Sequence, residues 1–512
     1  MRPKNIITNN VVLGIPAFMA STLVMGVPFV MSSNLPLAKS KSQSQNIVFI
    51  LADDLGWTDL GCYGSTFYET PNIDKIAATG MKFTAGYAAS PVSSPTRASI
   101  LTGKYPARLH LTNWLHGKIK KQLIGASYVP ALSLHEITIA ETLKKHNYTT
   151  FFAGKWHLGA EKYWPEYQGF DVNIGGCDWG GPYGGKNYFS PYANPRLTDG
   201  PKGEHLPDRL AEETVQFIQS NRDKPFFAYL SFYSVHTPLM ARKDLEEKYS
   251  IKKEQKAPKT SWGKEGEYKV RKTQNDAVYA GMVEAMDQAV GKVLVELDKQ
   301  GLTDKTIVVF MSDNGGMSTC AGYPTSNIPL RAGKGWLYEG GVREPFIIKW
   351  PGVTPPGSTC DVPVISTDFY PTLLEMTDLP FQHDQHLDGI SLVPLLKNKG
   401  EISRDAIYWH FPHYSPQGGT PSAAVRVDNY KLIEFFEDNH VELYDLKQDI
   451  GELKDISKNR PRMTSKLKDM LHLWLKQVDA KMVIKNNEYK EPKKQNYFLK
   501  LIKRLKAKVL SF

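Results

Sequence analysis

The sequence predicts an α/β fold: a sandwich in which a large mixed, mostly parallel sheet lies between helices, followed by a small C-terminal antiparallel sheet with one helix. Three observations carry this reading. Residues 46–52 (NIVFILA), 226–232 (FFAYLSF), 306–311 (TIVVFM) and 346–350 (FIIKW) are short, nearly continuous apolar runs rich in β-branched and aromatic residues. Such runs suit strands covered on both faces, as in a parallel sheet. Helical patterns separate them. One covers 208–220 with Asp208 as its N-cap; another covers 276–299 with Val278, Met282, Met286, Val290, Val293 and Leu297 on one side. Strands alternating with helices imply layers of helix on sheet. From about Glu401 the pattern changes to short alternating segments (AIYWHF, AAVRV, YKLIEFF, VELYDL), then a helical stretch over 462–478. That is the signature of an antiparallel sheet with one helix.

Size and composition narrow the function classes. The 512 residues exceed what one small core organises. Hydrophobic residues at 41% and charged residues at 23% exclude a disordered chain, a coiled coil and a polytopic membrane protein. The formal charge of +10 raises the question of a nucleic-acid partner. Its distribution answers it. Residues 1–41 carry four basic residues and no acid, and 481–512 carry ten basic residues against two acids. The body between them is close to neutral. A nucleic-acid binder concentrates cations on the folded face that meets phosphate, so no nucleic-acid partner is expected.

The two ends read as addresses rather than as fold. A basic start precedes an apolar run over 11–31, interrupted by Gly and Pro, with small residues at Ser32, Ser33 and Ala38. This predicts an export signal over 1–38, retention as an anchor being the alternative, and places the body in the periplasm or outside the cell. At the other end Phe498, Leu501, Ile502, Leu505, Val509 and Phe512 recur at helical spacing among lysines. Residues 481–512 therefore form a basic amphipathic tail, read equally as a contact with an anionic membrane surface or as a docked terminal helix. Between the ends lie a catalytic domain over 44–400 and a C-terminal subdomain over 401–480. Cys62, Cys177, Cys320 and Cys360 are widely spaced and form no metal-binding cluster.

In open α/β sheets, ligand sites lie beyond the carboxyl ends of the strands. Asp53-Asp54 and Ser312-Asp313-Asn314 follow two of the predicted strands. Their hard oxygen donors, with no thiolate or imidazole among them, suit Ca²⁺ better than zinc. Ser93-Ser94-Pro95-Thr96-Arg97 opens a helix that Gly103 and Pro106 close, with Ser94 as cap and Pro95 in the first turn. Ser93 then stands at a helix N-terminus that favours an anion, and Arg97 reaches back to the same end. Lys155 and His157, two apart, share one face of an extended chain.

The string SSPTRASILTGKYPAR closely resembles the signature of the formylglycine-dependent sulfatases, which are arylsulfatase-like members of the alkaline-phosphatase superfamily. LADDLGW, GKWHLG, VHTP, SDNGG and GKGWLYEGGVREP follow in the family's order and extend the resemblance over most of the chain. It implies an alkaline-phosphatase-like sandwich and a sulfuric ester hydrolase. Ser93 would be converted to Cα-formylglycine; many relatives have cysteine there, so a serine-type radical maturase is the implied partner. The hydrated aldehyde is a gem-diol, one hydroxyl attacking sulfur while the other later expels sulfate. The metal ligands implied for Ca²⁺ are Asp53, Asp54, Asp313 and Asn314, joined by the modified side chain at Ser93. Lys155 would bind sulfate and the formylglycine hydroxyl. His157 would take the proton that releases sulfate, and His236 would donate to the leaving alcohol. Lys334 would contact the sulfate and the bridging oxygen, and Arg97 completes the catalytic set.

On the substrate side, the glycine-rich string 175–189 (GGCDWGGPYGGKNYF) offers Trp179 and Tyr183, and YWHFPHY offers His413, as sugar-binding candidates. Glu339 and Arg343 are assigned to loop structure. Exported serine-type relatives resemble enzymes of glycan-degrading bacteria, which implies a sulfated polysaccharide or host glycan, galacto-configured. Two alternatives stand beside this reading: a phosphomonoesterase or phosphodiesterase of the same superfamily using unmodified Ser93, and a non-catalytic glycan-binding relative.

Overall fold

A computed structural model describes residues 45–490. The predicted signal over 1–38 and the tail beyond 490 lie outside the described residues. Eight strands form the main sheet, in the spatial order Ser358–Cys360, Met81–Phe83, Phe346–Lys349, Thr306–Ser312, Asn46–Ala52, Phe226–Ser231, Thr149–Gly154 and Val172–Ile174. The five from Thr306–Ser312 to Val172–Ile174 run parallel to one another. Phe346–Lys349 pairs antiparallel on both sides, so this apolar run departs from the parallel pattern of the other three. The sheet is mixed and mostly parallel, as the sequence predicts.

The apolar runs form central strands because each has a core on both faces. Val48 and Ile50 pack with helices Leu206–Asn221 and Ala277–Lys299, through Leu210, Ile218, Met282 and Val290. Ile47, Phe49 and Leu51 pack on the opposite face with Ala98 and Ile100 of helix Ser93–Thr102 and with Phe369 and Leu373 of helix Phe369–Met376. Successive side chains of one strand thus enter two different cores. Asp276 caps its helix by accepting from the Tyr279 amide. Asp208 does not cap; helix Leu206–Asn221 starts two residues earlier, with His205 at the N-cap and Pro207 in the first turn.

Strands Ile407–Phe411, Ser422–Val427, Tyr430–Phe435 and Val441–Asp445 form the antiparallel C-terminal sheet, covered by helix Pro461–Gln477 through Leu467, Leu471 and Trp474. The same core takes in Tyr87, Val92, Trp336 and Tyr338 from the main body. Beneath it lies a fully buried ionic group. Lys431 Nζ sits 2.9 Å from Glu339 and 3.0 Å from Glu452. Glu452 also accepts from the Glu339 amide at 2.6 Å, and Tyr87 donates to Glu339 at 2.7 Å. The C-terminal sheet thereby holds the 331–343 loop. Residues 484–485 pair with 123–124, so the first part of the predicted tail belongs to the folded body. The four cysteines are unpaired, and among the described residues no helix is long and apolar enough to cross a membrane.

Candidate active site

The pairings Ala52 with Ser312, Leu51 with Ser231 and Gly154 with Ser231 set four parallel strand ends level. The residues that follow these ends therefore converge: Asp53-Asp54, Asp313-Asn314, Lys155 and, after a short turn, His236. Gly315 is required by the close packing here, since a Cβ on it would meet Gly340 O at 1.9 Å. Asp54 takes a left-handed backbone conformation (φ 61°), which turns it to the same point as Asp53. Asp53, Asp54 and Asp313 are fully buried and bring carboxylate oxygens within 4.8 Å of one another.

Ser93 enters this group from the opposite side as the first residue of helix Ser93–Thr102. Val92, not Ser94, is the N-cap, and Ser94 Oγ is buried without a hydrogen-bond partner. Ser93 Oγ lies 3.2 Å from Asp53 Oδ1 and 3.2 Å from Asn314 Oδ1, and accepts from Lys155 Nζ at 3.2 Å. Lys155 Nζ also donates to Asp53 at 2.6 Å. Lys334 Nζ pairs with Asp54 at 2.6 Å. The Asn314 amide donates to Asp54 at 2.8 Å, which leaves its oxygen facing Ser93.

Arg97 reaches back toward the Ser93 end, with its guanidinium 3.8 Å from Asp53 Oδ1, the carboxylate oxygen that Ser93 also contacts. Its guanidinium donates to Asp313 Oδ2 at 2.9 and 2.7 Å, to Lys155 O at 2.8 Å and to Ser231 Oγ at 2.7 Å. It braces three strand ends from behind and does not line the cavity. Lys155 and His157 do share the cavity wall, but not through extended geometry. His157 is left-handed (φ 56°), and its amide donates to Cys177 O at 3.0 Å.

The charges explain one another. Burial raises the Asp53 carboxyl above its ordinary range, and the neighbouring carboxylates add to this against Lys155. Burial also acts on Asp54, but Lys334, His236 and Lys155 outweigh it and hold that carboxyl low. Arg97 does the same for Asp313. Burial lowers both imidazoles, His236 to about 3 with Lys334 adding to the effect, and His157 well below its ordinary value, with Lys155 and Arg97 adding. Both rings are therefore neutral around pH 7. His157 Nδ1 is buried with no partner, and His236 Nδ1 faces Thr237 O at 2.7 Å.

Three buried carboxylates and an amide oxygen at one point fit a divalent cation. A hard ion with oxygen ligands favours the ionised form that burial opposes at Asp53. Asp53, Asp54, Asp313 and Asn314 can hold it, beside Ser93. Among the described residues this acidic cluster contains no histidine or cysteine, which separates it from a zinc site.

A cavity of about 510 Å³ opens above Ser93, lined by Lys155, His157, His236 and Lys334 at its base. Trp179 and Tyr183 line its wall, and the Tyr183 ring meets His236 edge-on at 6.1 Å. His413 does not line it; its Nε2 is 2.8 Å from Thr112 Oγ1, and it packs edge-on to Tyr128 and Phe411. The C-terminal subdomain instead contributes Gln417. The sequence suggests no site role for Trp114, His116 or Asp178, which line the same cavity. Only Asp178 had a signal, since it lies inside the glycine-rich string. Glu339 and Arg343 pair at 3.1 Å within the loop that carries Lys334.

Comparison with known proteins gives two family matches. The sulfatase family model matches residues 45–379, and the model for the C-terminal region of N-sulphoglucosamine sulphohydrolase matches 332–481. The chain is 34% identical to a sulfatase of Formosa agariphila, covering 88% of this chain and 90% of that one. It is 31% identical to rat N-acetylgalactosamine-6-sulfatase, covering 77% of this chain and 72% of the relative. Its fold is similar to the crystal structure of Ps i-CgsB in complex with k-i-k-neocarrahexaose, with a TM-score of 0.72, 29% identity, and coverage of 90% of this chain and 97% of that one.

Proposed function

Because the chain belongs to the sulfatase family and is a sulfuric ester hydrolase, we propose that it is an exported carbohydrate sulfatase. Its nucleophile is formylglycine made from Ser93, and its carboxylate cluster holds Ca²⁺. The observation that carries this reading is the position of Ser93 Oγ, within 3.2 Å of Asp53, Asn314 and Lys155 at the floor of the cavity. Formylglycine supplies a hydrated aldehyde whose hydroxyl attacks sulfur. Ca²⁺ supplies positive charge that polarises sulfate oxygens and favours the ionised nucleophile.

The chain's own residues do the rest. Lys155 and Lys334 carry positive charge at the base of the cavity, where sulfate oxygens and the developing alkoxide need it. Arg97 keeps Asp313 ionised and fixes Lys155 by its carbonyl, which makes it a positioning residue. His236 stands where the alcohol leaves. A sulfate oxygen beside that ring adds the negative charge that favours its protonated, donating form. His157, held neutral by burial, would accept the proton lost by the second hydroxyl of the hydrated formylglycine at position 93, the loss that releases sulfate. Trp179 and Tyr183 supply apolar faces for a sugar ring. The bound k-i-k-neocarrahexaose of one structural relative, and the N-acetylgalactosamine-6-sulfatase activity named for another relative, support a sulfated, galacto-configured glycan. Export rests on the apolar run over 11–31, and a serine-type radical maturase is the implied partner.

The test is mass spectrometry of the tryptic peptide 83–97 from protein co-expressed with a serine-type maturase, together with hydrolysis of sulfated sugars. A peptide lighter by two hydrogens, appearing together with activity, is expected. A peptide that stays unmodified in fully active enzyme overturns the formylglycine reading.

A further inference from the structure

Asp178 stands apart from the charged groups at the base of the cavity. Lys155 is paired with Asp53 and Lys334 with Asp54. Asp178 is the single carboxylate among the described residues that line the cavity, and it is in no hydrogen bond or ion pair with a described side chain. It is also held in place. The Cys177 carbonyl accepts from the His157 amide at 3.0 Å. On the other side a Cβ on Gly180 would meet the His157 ring at 2.9 Å. The segment carrying Asp178 is thus clamped on His157, next to the point where sulfate binds.

Gln417 offers the complementary chemistry. It is 8% exposed and lines the same cavity. Its Oε1 is engaged by Ser415 Oγ, and its amide nitrogen has no described protein partner. The cavity wall therefore presents a carboxylate acceptor on an anchored segment and an amide donor oriented by Ser415, with the Trp179 ring next to Asp178 in sequence.

Sugar hydroxyls both donate and accept, so an acceptor, a donor and an aromatic face together recognise a neutral pyranose. A carboxylate repels a second anion. We propose that Asp178 and Gln417 are the specificity-determining residues of this site. They select a sugar ring with free hydroxyls beside the sulfated carbon and reject one that carries a second sulfate or a uronate there. The inference rests on the carbohydrate sulfatase reading and narrows its substrate class. It also gives the C-terminal subdomain a direct part in recognition.

The experiment compares matured wild type with Asp178→Asn and Gln417→Leu on three probes: 4-nitrophenyl sulfate, a monosulfated galactose and a disulfated galactose. The readouts are ratios of kcat/KM between probes, which do not depend on the fraction of folded or matured enzyme. Asp178→Asn is expected to lower the ratio of monosulfated to disulfated sugar by on the order of 10-fold, since a charge-assisted hydrogen bond and a like-charge repulsion are both removed. Gln417→Leu is expected to lower the ratio of monosulfated sugar to 4-nitrophenyl sulfate to a similar extent. Ratios within about 2-fold of wild type in both variants overturn the proposal while leaving the carbohydrate reading standing. A wild type that cleaves 4-nitrophenyl sulfate but neither sugar overturns the carbohydrate reading itself.

Discussion

Replacing Lys431 by Met tests whether the buried ionic group under the C-terminal sheet holds the active-site loop. Lys431 is fully buried, as are Glu339 and Glu452, with Nζ 2.9 and 3.0 Å from the two carboxylates. Methionine keeps most of the volume and removes the charge, leaving two acids in one dry pocket. Breaking a buried pair from one side costs about 3–5 kcal/mol. Glu339 keeps Arg343 at 3.1 Å and the Tyr87 hydroxyl at 2.7 Å, and Glu452 keeps the Glu339 amide at 2.6 Å. The loss therefore falls toward the lower end, about 3 kcal/mol. In thermal and urea unfolding near pH 7.5 the variant should lose that amount. Adding Glu452→Gln should recover most of it, because the neutral amide no longer repels Glu339. Since Glu339 lies in the loop that carries Lys334, kcat on a sulfate ester should fall in Lys431→Met and return in the double variant. A single variant within about 1 kcal/mol of wild type, below what any buried pair in this geometry delivers, refutes the reasoning. So does a double variant that is less stable than the single one.

Other perturbations probe the same frame. Gly315→Ala places a methyl 1.9 Å from Gly340 O, and should yield insoluble protein or a loss above about 3 kcal/mol by thermal melting, because backbone rather than a flexible side chain is in the way. Burial lowers His410 to about 4. A depressed folded value means that this group's contribution is fully present above about pH 6.5 and is lost as pH falls toward 4. His410→Gln should therefore flatten the decline of stability between pH 6.5 and 4.5, by up to about 1.4 kcal/mol per pH unit. Chelator-treated protein should melt lower than protein in excess Ca²⁺, with a Tm that rises with the logarithm of the ion concentration; a Tm indifferent to Ca²⁺ removes that ion from the site.

The sequence made the sheet legible because its central strands are covered on both faces, and a strand with two cores must be apolar throughout. The same condition hid strand direction. Phe346–Lys349 is as apolar as its neighbours and runs the other way, since burial depends on the layers above and below and not on polarity along the ladder. Helix starts were less legible. Asp208 and Ser94 have the chemistry of caps, yet each sits inside its helix because the chain entered one or two residues earlier.

By itself the sequence determined which chemical groups are available and where along the chain they follow a strand. Asp53-Asp54, Asp313-Asn314, Lys155 and the Ser93 helix could be picked out because a strand end fixes the side of the sheet on which the next residues emerge. Only the tertiary structure decided which way each side chain faces. It turned Arg97 behind Asp313, sealed His413 against Thr112, and brought Asp178 and Gln417, distant in sequence, onto one cavity wall. The physical reason is that the wall is assembled from loops with no repeating period. The direction of a loop residue is set by contacts such as Gly180 on His157 and Gly315 on Gly340, which exist only once the layers have packed.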